Sequence, residues 1–117
     1  MTIDPLINQG IDALKKNKPL EAEQIFRTLL KTNPKDSEIN HFLGIALQLL
    51  NKVKDAAMSY KTAAALNPNF AEAHKDLGNM LYRLGQIDEA ENSYKKAINL
   101  KSNFTEAITV LNIISEQ

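Results

Sequence analysis

The chain contains no cysteine among its 117 residues. A disulfide framework, a thiolate metal site and thiol redox chemistry are therefore all excluded. Nor is there an excess of either charge: fourteen basic and fourteen acidic residues give a formal net charge of +0. Divided along the chain, residues 3–36 carry +1, 37–70 carry +1, 71–104 carry 0 and 105–117 carry −2. No segment is a basic patch, so electrostatic binding of nucleic acid has no support. No run approaches the roughly eighteen apolar residues that a membrane-spanning helix requires. The opening MTIDPLINQGID lacks a basic region followed by an apolar run, so no signal peptide is read there, and the expected compartment is the cytoplasm. Glycine-rich phosphate loops, low-complexity tracts and period-2 strand patterns are missing as well. Hydrophobic residues at 44% and charged residues at 24% fit an ordinary globular chain.

What is present is a repeat. Residues 71–104, AEAHKDLGNMLYRLGQIDEAENSYKKAINLKSNF, align without a gap onto residues 37–70, SEINHFLGIALQLLNKVKDAAMSYKTAAALNPNF. The period is 34 residues, which points to a stacked-repeat architecture.

Read in order, Asp4-Pro5 signals a helix start, because proline's missing N–H is harmless in a first turn. Leu6, Ile7, Gly10, Ile11, Ala13 and Leu14 recur at helical spacing. A tight turn at about 16–19 leads to Pro19, and a second helix runs to about Thr32, where Asn33-Pro34 stops it. Residues 37–51 and 53–66 repeat this pair and end at Asn67-Pro68. Residues 71–85 and 87–100 form the third pair, with Lys101-Ser102 as a weaker stop. Residues 104–116 begin a seventh helix. Connections of two to five residues suit antiparallel neighbours.

This pattern resembles the tetratricopeptide repeat over essentially the whole chain. The family's small residue late in the first helix is matched by Gly10, Gly44 and Gly78. Its early second-helix alanine is matched by Ala22, Ala56 and Ala90, its aromatic by Phe26, Tyr60 and Tyr94, its later small residue by Ala63 and Ala97, and its closing proline by Pro34 and Pro68. The resemblance implies an all-α fold, a right-handed α-solenoid of antiparallel helix hairpins with about seven helices. It is expected as one domain over 1–117, with repeats at about 3–36, 37–70 and 71–104 and a capping or truncated-repeat helix at 105–117. The glycines are expected to face the alanines, with the aromatics filling the gap between one hairpin and the next. The first repeat departs most from the pattern, with Gln9, Leu29 and Asp36 at positions that differ in the others. Asn40 and His74 are polar where the family often has a bulky residue.

Function in this family usually lies in the concave groove lined by the first helix of each repeat, which holds an extended peptide or a partner helix. The groove offsets are Asp4, Ile7, Asn8, Ile11 and Lys15, then Glu38, His41, Phe42, Ile45 and Leu49. They continue with Glu72, Lys75, Asp76, Asn79, Tyr82 and Arg83, and with Glu106, Thr109, Val110 and Ile113 in the tail. The candidate peptide-binding residues are Ile7, Ile11, Phe42, Ile45, Leu49, Lys75, Asn79, Tyr82 and Arg83. The family's clamp of lysine, asparagine and arginine for acidic chaperone tails is absent, since its positions carry Ile7, Ile11, Phe42, Glu72 and Asp76. The asparagine column of nucleocytoplasmic sugar-transferring enzymes is also absent, reading Asn8, Phe42, Asp76 and Val110.

His41 and His74 lie one residue out of register on neighbouring helices with no third ligand, so neither a metal site nor a catalytic pair is read. Glu21/Glu23 and Glu89/Glu91 are two apart on helices and are expected to be solvated. The expected role is therefore a protein–protein interaction scaffold without catalytic residues, cofactor or metal. Its partner is a protein or peptide, not nucleic acid. Two alternatives differ in class: the N-terminal targeting or substrate-presenting part of a larger enzyme such as a glycosyltransferase or sulfotransferase, and a self-associating module. Val110 and Ile113 on the outer side of the last helix suggest a homodimer through that helix or a fourth repeat cut short.

Overall fold

A computed structural model describes residues 5–116. Seven helices occupy them: α1 (Pro5–Lys15), α2 (Pro19–Thr32), α3 (Ser37–Leu49), α4 (Val53–Leu66), α5 (Ala71–Arg83), α6 (Ile87–Leu100) and α7 (Thr105–Ser115). Each helix packs chiefly on its sequence neighbours, α1 on α2, α2 on α3 and onward to α6 on α7, as a solenoid requires. The result is an elongated all-α stack of 45 × 29 × 21 Å.

The turn inside each hairpin is one motif used three times. Asn17, Asn51 and Gly85 stand 34 residues apart and all adopt left-handed backbone, with φ of 56°, 61° and 80°. At each, the following N–H reaches back five residues: Lys18 donates to the Ala13 carbonyl at 2.8 Å, Lys52 to Leu47 at 2.8 Å and Gln86 to Leu81 at 2.9 Å. This bonding satisfies carbonyls that a helix end would leave open, and it reverses the chain within two residues.

The glycines make a different contact from the one the sequence suggested. A Cβ placed on Gly10 would lie 2.6 Å from Phe26 Cε1, on Gly44 2.5 Å from Tyr60 Cε1, and on Gly78 2.8 Å from Tyr94 Cε1. The glycines thus face the aromatics of their own hairpin, and the expectation that they face Ala22, Ala56 and Ala90 is corrected. The reason is geometric: each aromatic ring occupies the space that a side chain on the glycine would need. Phe26, Tyr60 and Tyr94 are at most 1% exposed. The two tyrosine hydroxyls leave this core by hydrogen bonding, Tyr60 to Gln48 Oε1 at 2.7 Å and Tyr94 to Asn79 Oδ1 at 2.6 Å.

The polar departures are satisfied too. Asn40 and His74 are both buried. Asn40 Nδ2 donates to the Pro34 carbonyl at 3.3 Å and the Asp36 carbonyl at 2.9 Å. His74 Nε2 lies 2.9 Å from the Pro68 carbonyl. Each ties its helix to the Asn-Pro turn that precedes it, an arrangement a bulky apolar residue could not supply.

Glu23 is not solvated. It is 7% exposed and its carboxylate accepts from Arg27 Nε at 2.8 Å and Lys52 Nζ at 3.3 Å. The Arg27 hydrogen bond, ahead of the opposing effect of burial and with help from Lys52, holds its pKa below the usual 4.5. Lys52 lies just before α4, so this pair joins the first hairpin to the second.

Candidate functional site

The first helices of the hairpins, α1, α3 and α5, and the single α7 share one side of the stack. Contacts across this face link them. His41 Nε2 on α3 lies 2.7 Å from Asp76 Oδ2 on α5. Asp76 Oδ1 is 3.3 Å from Lys75 Nζ, and Lys75 Nζ reaches Glu106 Oε2 on α7 at 3.0 Å. Three helices are therefore joined by one chain of polar and charged groups. Burial alone would lower the Lys75 pKa, but Asp76 and Glu106 outweigh it and hold it above 10.5. The ring of His41 lies 4.8 Å from that of Phe70 and 5.5 Å from that of Tyr60, so apolar groups hold it toward Asp76.

The predicted groove residues divide into two groups. Ile7, Ile11, Phe42 and Ile45 are half-buried and pack against the core. Phe42 stacks on Phe26 with ring centroids 5.4 Å apart and an interplanar angle of 15°. Leu49 continues the Phe42–Ile45 stripe at helical spacing and is 51% exposed. The second group is polar and already engaged. Lys75 holds Asp76 and Glu106 and sits 5.3 Å over the Phe104 ring. Asn79 accepts from Tyr94, and Arg83 Nη2 donates to Asn51 Oδ1 at 2.6 Å. Tyr82 is half-buried. In the tail, Ala107 and Ile114 are buried, Val110 packs against the core and Ile113 is 46% exposed. Asp4 lies outside the described residues.

The face offers no reactive arrangement among the described residues. Among the described residues no cluster of three or more histidine or acidic side chains is placed to hold a metal ion. His74 points to a proline carbonyl, away from His41's partner. Among the described residues no helix is long and apolar enough to cross a membrane.

Sequence reasoning missed a second concavity, on the opposite side, where a furrow of about 1000 Å³ runs between α4 and α6 over a floor of α5. Its signal lies in the repeat register, where Ala57 and Ala64 replace larger residues of the neighbouring repeats.

Comparison with known proteins agrees with this fold. Tetratricopeptide repeat models match residues 7–57 and 71–104, and a further TPR repeat model matches 44–85. The chain is a tetratricopeptide repeat protein. A search of curated protein sequences finds no match. Among solved structures, it resembles the first TPR of Spaghetti (RPAP3) bound to the HSP90 peptide SRMEEVD. The two share 25% identity at a TM-score of 0.91, over 95% of this chain and 88% of that one. The first TPR domain of the human RPAP3 protein is similar at 25% identity and a TM-score of 0.88, over 95% of this chain and 87% of that one. A Thermobaculum terrenum O-GlcNAc transferase is similar at 27% identity and a TM-score of 0.85. That match covers 97% of this chain but 23% of the enzyme.

Proposed function

We propose that the chain is a protein-interaction scaffold that holds an extended peptide or a partner helix along the face built by α1, α3, α5 and α7. The observation that carries this reading is the apolar stripe of Phe42, Ile45 and Leu49, which ends in a leucine 51% exposed on an interaction-type fold. Ile7 and Ile11 extend it onto α1. The polar half of the face pairs with itself, so it frames the stripe and adds little affinity of its own.

The peptide bound by the RPAP3 relative is acidic. Here Glu72 and Asp76 stand where a basic clamp would need cations, and Ile7, Ile11 and Phe42 are apolar. An acidic tail would meet repulsion and lose hydration without compensation. The ligand is therefore an apolar segment, and not a carboxylate-rich terminus.

A peptide library displayed on phage and panned against the chain tests this. Selected sequences are expected to be apolar, to lose at least tenfold in affinity against Leu49→Asp, and to keep it against Leu20→Asp, which changes an exposed leucine on α2. Selected peptides that bind both variants equally would remove the reading. The match to a sugar transferase supports a second role, as the repeat region of a larger enzyme. The reading frame beyond Gln117 decides that directly.

A further inference from the structure

The furrow between α4 and α6 has a specific origin in the repeat register. Its α4 wall carries Ala57 and Ala64. One period earlier the same positions hold Glu23 and Leu30, and one period later Glu91 and Ile98. Truncation to alanine in the middle repeat alone opens the outer side of the stack. The corresponding space between α2 and α4, where Arg27 stands, is only about 280 Å³.

The floor is largely apolar, with Leu77 and Leu81 of α5 each 8% exposed beside His74. Met58 on one rim and Leu100 on the other are 68% and 42% exposed. The dimensions suit a helix. The walls are 14 residues long, about 21 Å at the α-helical rise, and a helix about 10 Å wide sunk halfway over that length displaces on the order of 800 Å³.

Charge selects among helices. Lys61 and Lys96 face the furrow from opposite walls, both exposed, and neither forms an ion pair among the described residues. Asp55 and Glu89 lie at the other end, near the N-termini of α4 and α6, with Lys54 beside them. We propose that this outer furrow is a second docking site, whose occupant is an amphipathic helix of a partner protein that lays an apolar stripe on Leu77 and Leu81 and sets carboxylates against Lys61 and Lys96.

The test uses two synthetic 14-residue helical peptides, each labelled for fluorescence anisotropy. Both carry leucine at i, i+3, i+4, i+7 and i+11; one flanks the stripe with glutamate, the other with lysine. The glutamate peptide is expected to bind the 117-residue chain at least tenfold more tightly. Ala64→Leu, which restores the bulk found in the flanking repeats, should weaken it at least tenfold, while Leu49→Asp on the opposite face should leave it unchanged. The surface pair Lys61→Glu/Lys96→Glu should reverse the preference toward the lysine peptide. Equal binding of the two peptides, no binding of either, or a loss produced by Leu49→Asp in place of Ala64→Leu would overturn the proposal. Sedimentation of the chain alone covers the remaining occupant: self-association abolished by Ala64→Leu would assign the furrow to a second copy and would also overturn it. Because Leu49→Asp reads the α3 face and Ala64→Leu reads the furrow, failure of one site is distinguishable from failure of the other.

Discussion

The ring of Tyr60 occupies the space that a side chain at Gly44 would need, with 2.5 Å between its Cε1 and the site of a Cβ. Tyr60 cannot swing aside freely, because its hydroxyl is bonded to Gln48 and the ring is fully buried. Glycine inside a helix costs about 1 kcal/mol against alanine, and close ring packing offsets that cost. Gly44→Ala should therefore destabilise despite its better helix propensity, by up to about 2 kcal/mol net, the overpacking of about 1–3 kcal/mol less the propensity gain. Urea denaturation would check this. A double-mutant cycle with Tyr60→Leu should recover part of the loss, and additive effects would show that the two residues do not compete for space.

The left-handed turn residues should respond by type. Gly85 has φ of 80°, with open space around the site of a Cβ. Gly85→Ala should then cost about 1–2 kcal/mol through backbone strain alone. Asn51→Gly, at φ of 61°, should stay within about 0.5 kcal/mol, although it removes the acceptor of Arg83. The comparison is read from denaturation midpoints at unchanged slope.

Glu23 makes stability depend on pH in a known direction. Its folded pKa lies below 4.5, so the carboxylate binds fewer protons folded than unfolded. Its contribution is fully present above the ordinary carboxylate range and is lost as pH falls through the lowered folded value. Glu23→Gln should reduce stability near neutral pH by about 1–3 kcal/mol, as expected for hydrogen bonds to a charged group. The variant should also lose less than the parent on acidification below pH 4.5. Parallel melting curves across that window would contradict the assignment.

Asp76 receives both His41 and Lys75, so Asp76→Ala removes the central link between α3, α5 and α7. Coupling between His41→Ala and Asp76→Ala should reach about 0.5–3 kcal/mol, the range for residues in one contact network. Amide exchange in α7 should rise in Asp76→Ala more than in α1, since Lys75 loses one of the two carboxylates that position it for Glu106.

Much of the architecture was legible because one period controls it. The 34-residue register predicts α4 and α6 as they are observed, and it extends α3, α5 and α7 one or two residues beyond their observed ends. Contacts between particular side chains were less legible. Gly44 and Ala56 are both small, and spacing alone does not show that a ring lies over one of them. Glu23 appears solvated when read two residues from Glu21, because its partner Lys52 belongs to the next hairpin. Asn40 and His74 read as departures until the carbonyls of Pro34 and Pro68 are seen to need them. The apolar stripe of Phe42, Ile45 and Leu49 followed from helical spacing, but the degree of burial that separates Phe42 from Leu49 depends on Phe26. The outer furrow required comparing Ala57 and Ala64 with their counterparts one period away, a comparison of size at positions outside the expected groove.

The hydroxyl bonds of Tyr60 and Tyr94 also make the stack self-reporting. The chain has three tyrosines and no tryptophan, so its near-ultraviolet emission comes from Tyr60, Tyr94 and Tyr82. The first two lie sealed inside the second and third hairpins, and the third lies half-covered on the α5 face proposed to hold a ligand. The first hairpin carries Phe26 in their place and is silent at tyrosine wavelengths. Unfolding followed by emission would therefore record the middle and later hairpins only, while far-ultraviolet dichroism records all of them. A mismatch between the two traces would show the first hairpin opening on its own, without any label added.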